Sequence, residues 1–538
     1  MRKILALLMA AILILGLAAC GNSTANDSAS RASTTEQKRS TADSVEASTD
    51  TETSTTSDVP STPPDGNGGP GGTPPDGQGG PGGTPPDGQG GPGSTPPDGQ
   101  GGPGGTPPDG QGGPGGTPPD GQGGPGGAPG GSSADIDYTG AVEITSADTQ
   151  DGQSYASTSA DESALLISSS DAVTVSNATV TKTGDSDGGD NCNFYGLNAA
   201  VLVKDGTTTT ITGGTVTSSA SGANGVFCYG GNGGRNGASG DGTTLIIRDV
   251  TIVTTGSGSG GLMTTGGGIT YAYDLDVTTS GQSSAAIRTD RGGGTVVVDG
   301  GTYTSNGQGS PAIYSTADVT VSNATLNSTL AEGVCIEGKN SITLENCDLT
   351  ANNTKRNSNA TFLDSIMIYQ SMSGDADSGT SGFTMTGGSL TSKNGHVFHV
   401  TNTNAIITLS GVTITNEDAE NILLSVCDDG WSGAGNVATL NASAQKLSGA
   451  IKVGDNSTLT LSLTNGSSFE GYIDGKITNA AGDTVSTEAG TVTVTLESGS
   501  TWTLTGDSYV TEFNGDASSV ISNGYTLYVN GVALAGTN

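Results

Sequence analysis

Arg288, Tyr314, Ile336, Tyr369 and His399 each close a short apolar segment: Ala-Ile-Arg, Ala-Ile-Tyr, Val-Cys-Ile, Met-Ile-Tyr and Val-Phe-His. Aligned as strands of neighbouring coils, these segments stack the five residues in one outward column about 19 Å long, at ~4.8 Å per strand. Tyrosine rings and an arginine fork suit sugar faces, hydroxyls and carboxylates. Arg288, Tyr314, Tyr369 and His399 are therefore the candidate ligand-binding residues. Two further clusters carry groups that polysaccharide cleavage would need. Arg288-Thr-Asp290-Arg291 sets a guanidinium beside a carboxylate, and Asp428-Asp429-Gly-Trp431 sets two carboxylates near an aromatic ring. In a lyase or glycoside hydrolase, Arg288, Asp290, Asp428 and Asp429 would be the catalytic groups. Successive strand residues face opposite ways, so Asp428 and Asp429 share a site only in a loop. By the same rule His396 and His399, three apart, are expected on opposite sides.

A third cluster favours a hard cation. Asp185-Ser-Asp187-Gly-Gly-Asp190 crowds oxygen ligands into a glycine-rich loop, like the start of a calcium loop, although the closing glutamate of an EF-hand is missing. Calcium is the cofactor this implies, with Asp185, Asp187 and Asp190 as ligands; Asp375-Ala-Asp377 is a weaker echo. Each cluster also has a plainer reading, as exposed β-formers on a flat face or as solvated acidic loops.

The elements that position these residues repeat. Ten stretches share a strand of alternating apolar and hydroxyl residues, a pivot, a small residue and a second strand. The pivots are Asn177, Gly213, Asp249, Asp274, Gly300, Asn323, Asn346, Gly387, Gly411 and Asn465, with a weaker copy at Asn441. Gly, Asn and Asp enter the left-handed helical region at tolerable cost, so a pivot limited to them implies a one-residue corner. The first nine pivots are 36, 36, 25, 26, 23, 23, 41 and 24 residues apart. A base period near 24 with occasional insertions is that of a solenoid. The residues two before and three after each pivot are almost all apolar, and the one just before it is polar, as a pleat with one buried face requires. The fold class expected is all-β: a right-handed parallel β-helix of about 12 coils over residues 134–538.

What precedes it is of another kind. Arg2 and Lys3 lead an apolar run over residues 4–17, too short for a comfortable membrane span and shaped like a secretory signal. Leu17-Ala18-Ala19-Cys20 resembles a bacterial lipobox, which makes residues 1–20 a lipoprotein signal peptide and Cys20 the lipidated residue. Residues 21–133 form a disordered linker by composition. Residues 22–59 are rich in Ser, Thr, Asp and Glu, and residues 62–127 are six near copies of Thr-Pro-Pro-Asp-Gly-Gln-Gly-Gly-Pro-Gly-Gly. Fully extended at roughly 3.1 Å per residue, that tether would reach ~200 Å. It would hold the folded part clear of a membrane, beyond a cell wall.

The net charge is −35, with 18 basic and 53 acidic residues. This argues against nucleic acid and against direct contact with an anionic lipid surface. A neutral glycan, or an acidic one bridged by a divalent cation, remains as partner. Of the cysteines after Cys20, Cys335 and Cys347 are expected on inward rows, a bridge between Cys192 and Cys228 would suit an exported chain, and Cys427 precedes Asp428. None has metal-site spacing.

As a coil array, residues 135–538 resemble the exported β-helix lipoproteins of clostridia and their relatives, with a pectin-lyase-like fold and described as carbohydrate-binding or adhesin-like. The resemblance rests on the Gly-Gly-Thr-φ-Thr and Ser-Asn-Ala-Thr strand pairs, on Gly309-Ser-Pro-Ala-Ile-Tyr-Ser-Thr-Ala-Asp318 and on the closing Ser500-Thr-Trp-Thr-Leu-Thr-Gly-Asp-Ser-Tyr509. It implies a cell-surface protein that binds polysaccharide or a cell-surface glycan without catalysis, anchored to the extracellular face of the membrane only through the lipid on Cys20. The alternatives are a β-helix polysaccharide lyase or hydrolase, and a purely structural surface protein. The Asn-Thr-Asp, Asp-Asp, Gly-His-Gly and Arg-Ile-Lys set of the polygalacturonases is absent.

Overall fold

The computed structural model describes residues 136–234 and 239–538. The signal peptide, the lipobox with Cys20 and the linker expected at residues 1–133 lie outside the described residues. The rest is a parallel β-helix. One sheet takes a single strand from each of 13 successive turns of the chain, starting at Thr139–Ile144 and ending at Ile473–Asp474, every strand pairing in parallel with the next. We refer to it as the front sheet. Most of the remaining strands form a second, bent sheet, also paired in parallel from coil to coil; Gly294–Asp299 lies beside Asp318–Ser322, and Thr302–Ser305 beside Thr325–Ser328, while in the last coils Lys446–Ser448, Ser468–Gly471, Thr501–Leu504 and Val520–Ile521 pair as a separate parallel sheet.

The bend in that second sheet is the pivot. All ten pivots have positive φ, from 50° at Asp274 to 77° at Gly300. The corner is also tied sideways, since Asn323 Nδ2 donates to Asp299 Oδ1 at 2.7 Å and Asn177 Nδ2 to Asp151 Oδ1 at 2.9 Å. The weaker copy at Asn441 is a correction. Asn441 sits inside the strand Asn436–Ser443, and the corner falls at Ala444, with φ of 49°. Alanine carries no left-handed signature, so the sequence pattern slid onto the nearest asparagine.

The rows beside the pivots fill the core. Val175, Val298, Val321 and Leu344 from one row, and Val180, Val277, Tyr303 and Leu349 from the other, are buried in one continuous cluster; Ile414 is partly buried against it. Polar ladders complement the apolar rows. Ser259, Ser284 and Ser310 stack, each hydroxyl accepting the backbone N–H of the residue one coil earlier in the chain and donating to a carbonyl there. Backbones touch nearby: a Cβ on Gly281 would lie 1.8 Å from the Gly256 oxygen, and one on Gly307 1.7 Å from that of Gly281. Only glycine permits that approach.

The stack ends in short antiparallel pairs. Ile477–Thr478 pairs with Thr484–Ser486, and Leu527–Val529 with Val532–Ala533. Cys192, Cys228, Cys335, Cys347 and Cys427 are all buried free thiols, so the bridge expected between Cys192 and Cys228 is absent. Among the described residues the one α-helix is Asp190–Phe194, in an insertion.

Candidate functional site

The outward column of the front sheet runs, in register, Leu166, Leu202, Phe227, Met263, Arg288, Tyr314, Cys335, Met367, His399, Ser425, Lys452, Asp474. Its first third is apolar, and the insertion carrying Phe194 and Tyr195 packs over it, leaving Leu166, Leu202, Phe227 and Met263 buried. From Arg288 onward polar residues enter the column, with Cys335 and Met367 between them. The cover changes to the segments at 352–363, 370–379 and 427–435, and between them a cleft of about 290 Å³ opens.

Two members of the expected column are corrected by this register. Cys335, not Ile336, stands beside Tyr314; Ile336 faces the core. Met367, not Tyr369, follows Cys335, and Tyr369 belongs to the adjacent outward row beside Glu337. Cys335, expected inward, thus faces the cleft, where it packs with Met367, Tyr369 and Trp431. Cys347 is in the core as expected.

The cleft brings together Arg288, Tyr314, Glu332, Cys335, Glu337, Tyr369, Asp375 and Trp431. Glu337 is its centre. Tyr314 donates to Glu337 Oε2 at 2.6 Å, Tyr369 to the same oxygen at 3.1 Å, and the Ser371 hydroxyl to Oε1. Burial raises the Glu337 carboxyl pKa even though these donors pull it down. Burial first, and the Glu337 charge second, push the Tyr314 and Tyr369 phenols well above their ordinary value, so both remain donors. The Tyr369 ring lies 4.8 Å from that of Trp431, the two tilted by 55°.

Arg288 is fully engaged. It binds Asp290 through Nε and Nη2, with 2.7 Å at Nη2, and gives Nη1 to the Ser283 carbonyl at 3.0 Å and to Asn193 Oδ1. Burial drives the Asp290 carboxyl up to about 6 against the pull of Arg288. Next to them Arg291 Nη2 reaches Asp375 at 2.6 Å while its guanidinium lies 4.2 Å from the Phe194 ring centre, pinning two insertions to each other.

The remaining sequence candidates separate from this cleft. His399 lies in the column but is wholly buried: its Nε2 is 3.2 Å from Asp429 Oδ2 and its Nδ1 is 2.7 Å from Ser425 Oγ. His396 does not face away, as its spacing suggested; its Nδ1 also lies 2.7 Å from Ser425 Oγ. Val397 and Phe398 are both in the core, so the alternation slips between the two histidines. Hydrogen positions along this chain follow from chemistry. Burial opposes the Asp429 charge, yet hydrogen bonds from His399 and Thr361 hold its pKa below the ordinary value. The ionised Asp429 accepts from the Nε2–H of His399, whose Nδ1 then accepts from Ser425, and His396 donates to Ser425. The order is that of a nucleophile, base and orienting acid, but Ser425 is 0 % exposed, and the Phe362 ring packs 4.7 Å from that of His399. It is a packed relay. Sequence reasoning missed Ser425, Glu332 and Glu337, whose identities carry no motif.

Asp428 is exposed and accepts from Asn436 at 2.6 Å, and no hydrogen bond or ion pair among the described residues links Asp428 or Asp429 to the Arg288–Asp290 pair. Asp185, Asp187 and Asp190 are exposed, with Asp185 Oδ1 accepting from the Ser221 amide at 2.7 Å. Among the described residues no group of three or more His, Cys, Asp or Glu is arranged to hold a metal ion. Comparison of the chain with family models, curated proteins and solved structures gives no match in any of the three.

Proposed function

We propose that the chain is a surface-displayed β-helix that binds a neutral polysaccharide without cleaving it, through the cleft on the front sheet. The observation that carries this reading is the make-up of the cleft: a Tyr369–Trp431 wall beside the hydrogen-bonding group of Glu337, Tyr314 and Ser371. Aromatic faces pack on the apolar side of a sugar ring, and carboxylates and phenols satisfy its hydroxyls. Glu332 and Glu337 line the cleft, and Arg288 and Arg291 are already paired with Asp290 and Asp375. An acidic sugar would meet uncompensated negative charge, which favours a neutral ligand. Anchorage through Cys20 and display beyond a cell wall belong to the same proposal, and rest on the lipobox and the Pro/Gly repeats.

One observation favours hydrolysis as a second reading: Glu332 and Glu337 line one cleft, and burial raises the pKa of both. Paired carboxyls of that kind are the parts of a glycosidase. A single experiment separates the two. The purified protein is titrated calorimetrically with neutral and acidic polysaccharides while new reducing ends and unsaturated products are followed. Saturable binding without product, weakened at least about tenfold in Trp431→Ala, supports binding; tenfold is ~1.4 kcal/mol, the order of one lost ring contact. Product that disappears in Glu337→Gln establishes hydrolysis instead.

A further inference from the structure

At the base of the cleft two buried carboxylates, Glu332 and Asp364, stand on adjacent coils, and Asp364 has no donor at all. Val334 pairs in register with Ile366, so two residues earlier Glu332 falls beside Asp364 on the neighbouring coil, at the ~4.8 Å strand spacing. Both are buried, Glu332 at 4 % and Asp364 at 1 % exposure. Neither oxygen of Asp364 has a hydrogen-bond partner. Asn353, 0 % exposed, closes the group: its amide lies beside the Glu332 carboxylate and favours its charged form, and its Nδ2 donates to the Asp364 carbonyl at 3.1 Å, while its own Oδ1 has no partner.

Carboxylates facing each other inside a protein normally share a proton or hold a cation. A shared proton serves one oxygen on each side. That would leave the second Asp364 oxygen and Asn353 Oδ1 as buried acceptors with no donor, each bearing its full desolvation cost. A cation serves all of them at once. All the unserved atoms are hard oxygens, of the mixed carboxylate and amide kind that calcium accepts in flexible geometry; magnesium demands near-octahedral order and keeps its waters.

We propose that Glu332, Asp364 and the Asn353 amide oxygen form a buried site for a hard divalent cation of the calcium type. The site is separate from the acidic loop at Asp185, and it shares Glu332 with the cleft. It joins two adjacent coils at the base of the cleft, because Gly333 N–H donates to the Ser365 carbonyl at 2.8 Å immediately beside it. It also bears on chemistry above it. A bound cation keeps Glu332 ionised, removing it as a proton donor.

The test uses the whole purified chain, stripped with chelator and titrated with Ca²⁺ by calorimetry and by thermal melting. Expected are one saturable site and a Tm that rises with calcium. In Asp364→Asn the apo protein should melt no lower than apo wild type, because the like-charge contact is gone, while calcium affinity falls more than about 100-fold, beyond what loss of an outer-shell partner costs. Asp185→Asn should leave both responses intact. A wild-type Tm indifferent to calcium overturns the proposal in favour of a shared proton. A response that survives Asp364→Asn also overturns it, and its loss in Asp185→Asn would move the ion to the surface loop.

Discussion

Replacing Asp290 by asparagine should flatten the pH dependence of stability in a calculable way. Asp290 sits in the ion pair with Arg288, its side chain 4 % exposed, and its pKa stands at about 6 against an ordinary 3.8. A carboxyl whose pKa is higher folded than unfolded binds more protons in the folded state between those two values. Its contribution is therefore fully present below pH 3.8 and lost as the pH rises through 6. At 1.36 kcal/mol per pH unit the change is about 3 kcal/mol, somewhat under half of it falling above pH 5. General repulsion in a chain of net charge −35 has the same sign, so the slope of the wild type alone decides nothing. The difference between wild type and Asp290→Asn does. Urea unfolding of both proteins from about pH 3.5 to about 7.5 in chelator should show wild type losing about 3 kcal/mol more than the variant over that range. Parallel profiles would refute the claim that burial outweighs Arg288 at this carboxyl, even if the variant is uniformly less stable from leaving the guanidinium unpaired.

His396 should act in the opposite sense. Burial lowers its pKa from 6.5 to about 3, so stability falls as pH drops from 6.5 toward 3, and a His396→Gln variant should lose that part of the acid sensitivity in the same urea series. Ser425→Ala removes the shared partner of two buried imidazoles and should cost about 1–3 kcal/mol in a denaturant titration. At the corner Asn323, with φ of 55°, Asn323→Ala should cost about 1–2 kcal/mol and Asn323→Gly much less, read as a difference in Tm.

The corners were legible because φ near +50° restricts residue type, and the core rows because one buried face imposes a period of two. Both signals fade where the physics changes. At Ala444 the neighbouring strands over-determine the corner and a residue without the signature occupies it. Around the cleft the outer face of the front sheet is covered as well, so Val334, Cys335, Ile336 and Glu337 are all buried and alternation vanishes; the alignment slipped by one, exchanging Cys335 for Ile336. The cleft itself assembles from segments far apart in sequence. Trp431 meets Tyr369, and Ser371 meets Glu337, through coil stacking that no local spacing encodes. Arg288 and Asp290 were recognisable as a pair, since the Arg-Thr-Asp run sets them two residues apart across the end of one strand, close enough to meet.

Because the strands of each coil pair only with those of the coils next to it, with rungs directed along the stack, a pull on the chain end would load those rungs one coil at a time. Each released coil of 24 residues would lengthen the chain by roughly 80 Å at about 3.4 Å per residue, while those of 36 and 41 residues would give roughly 120 and 140 Å. The order of short and long steps in a force trace would thus spell out the pivot spacings. A fold of this kind resists tension as a ratchet of small, separable releases, and coils still stacked would keep their sites while the outer ones give way.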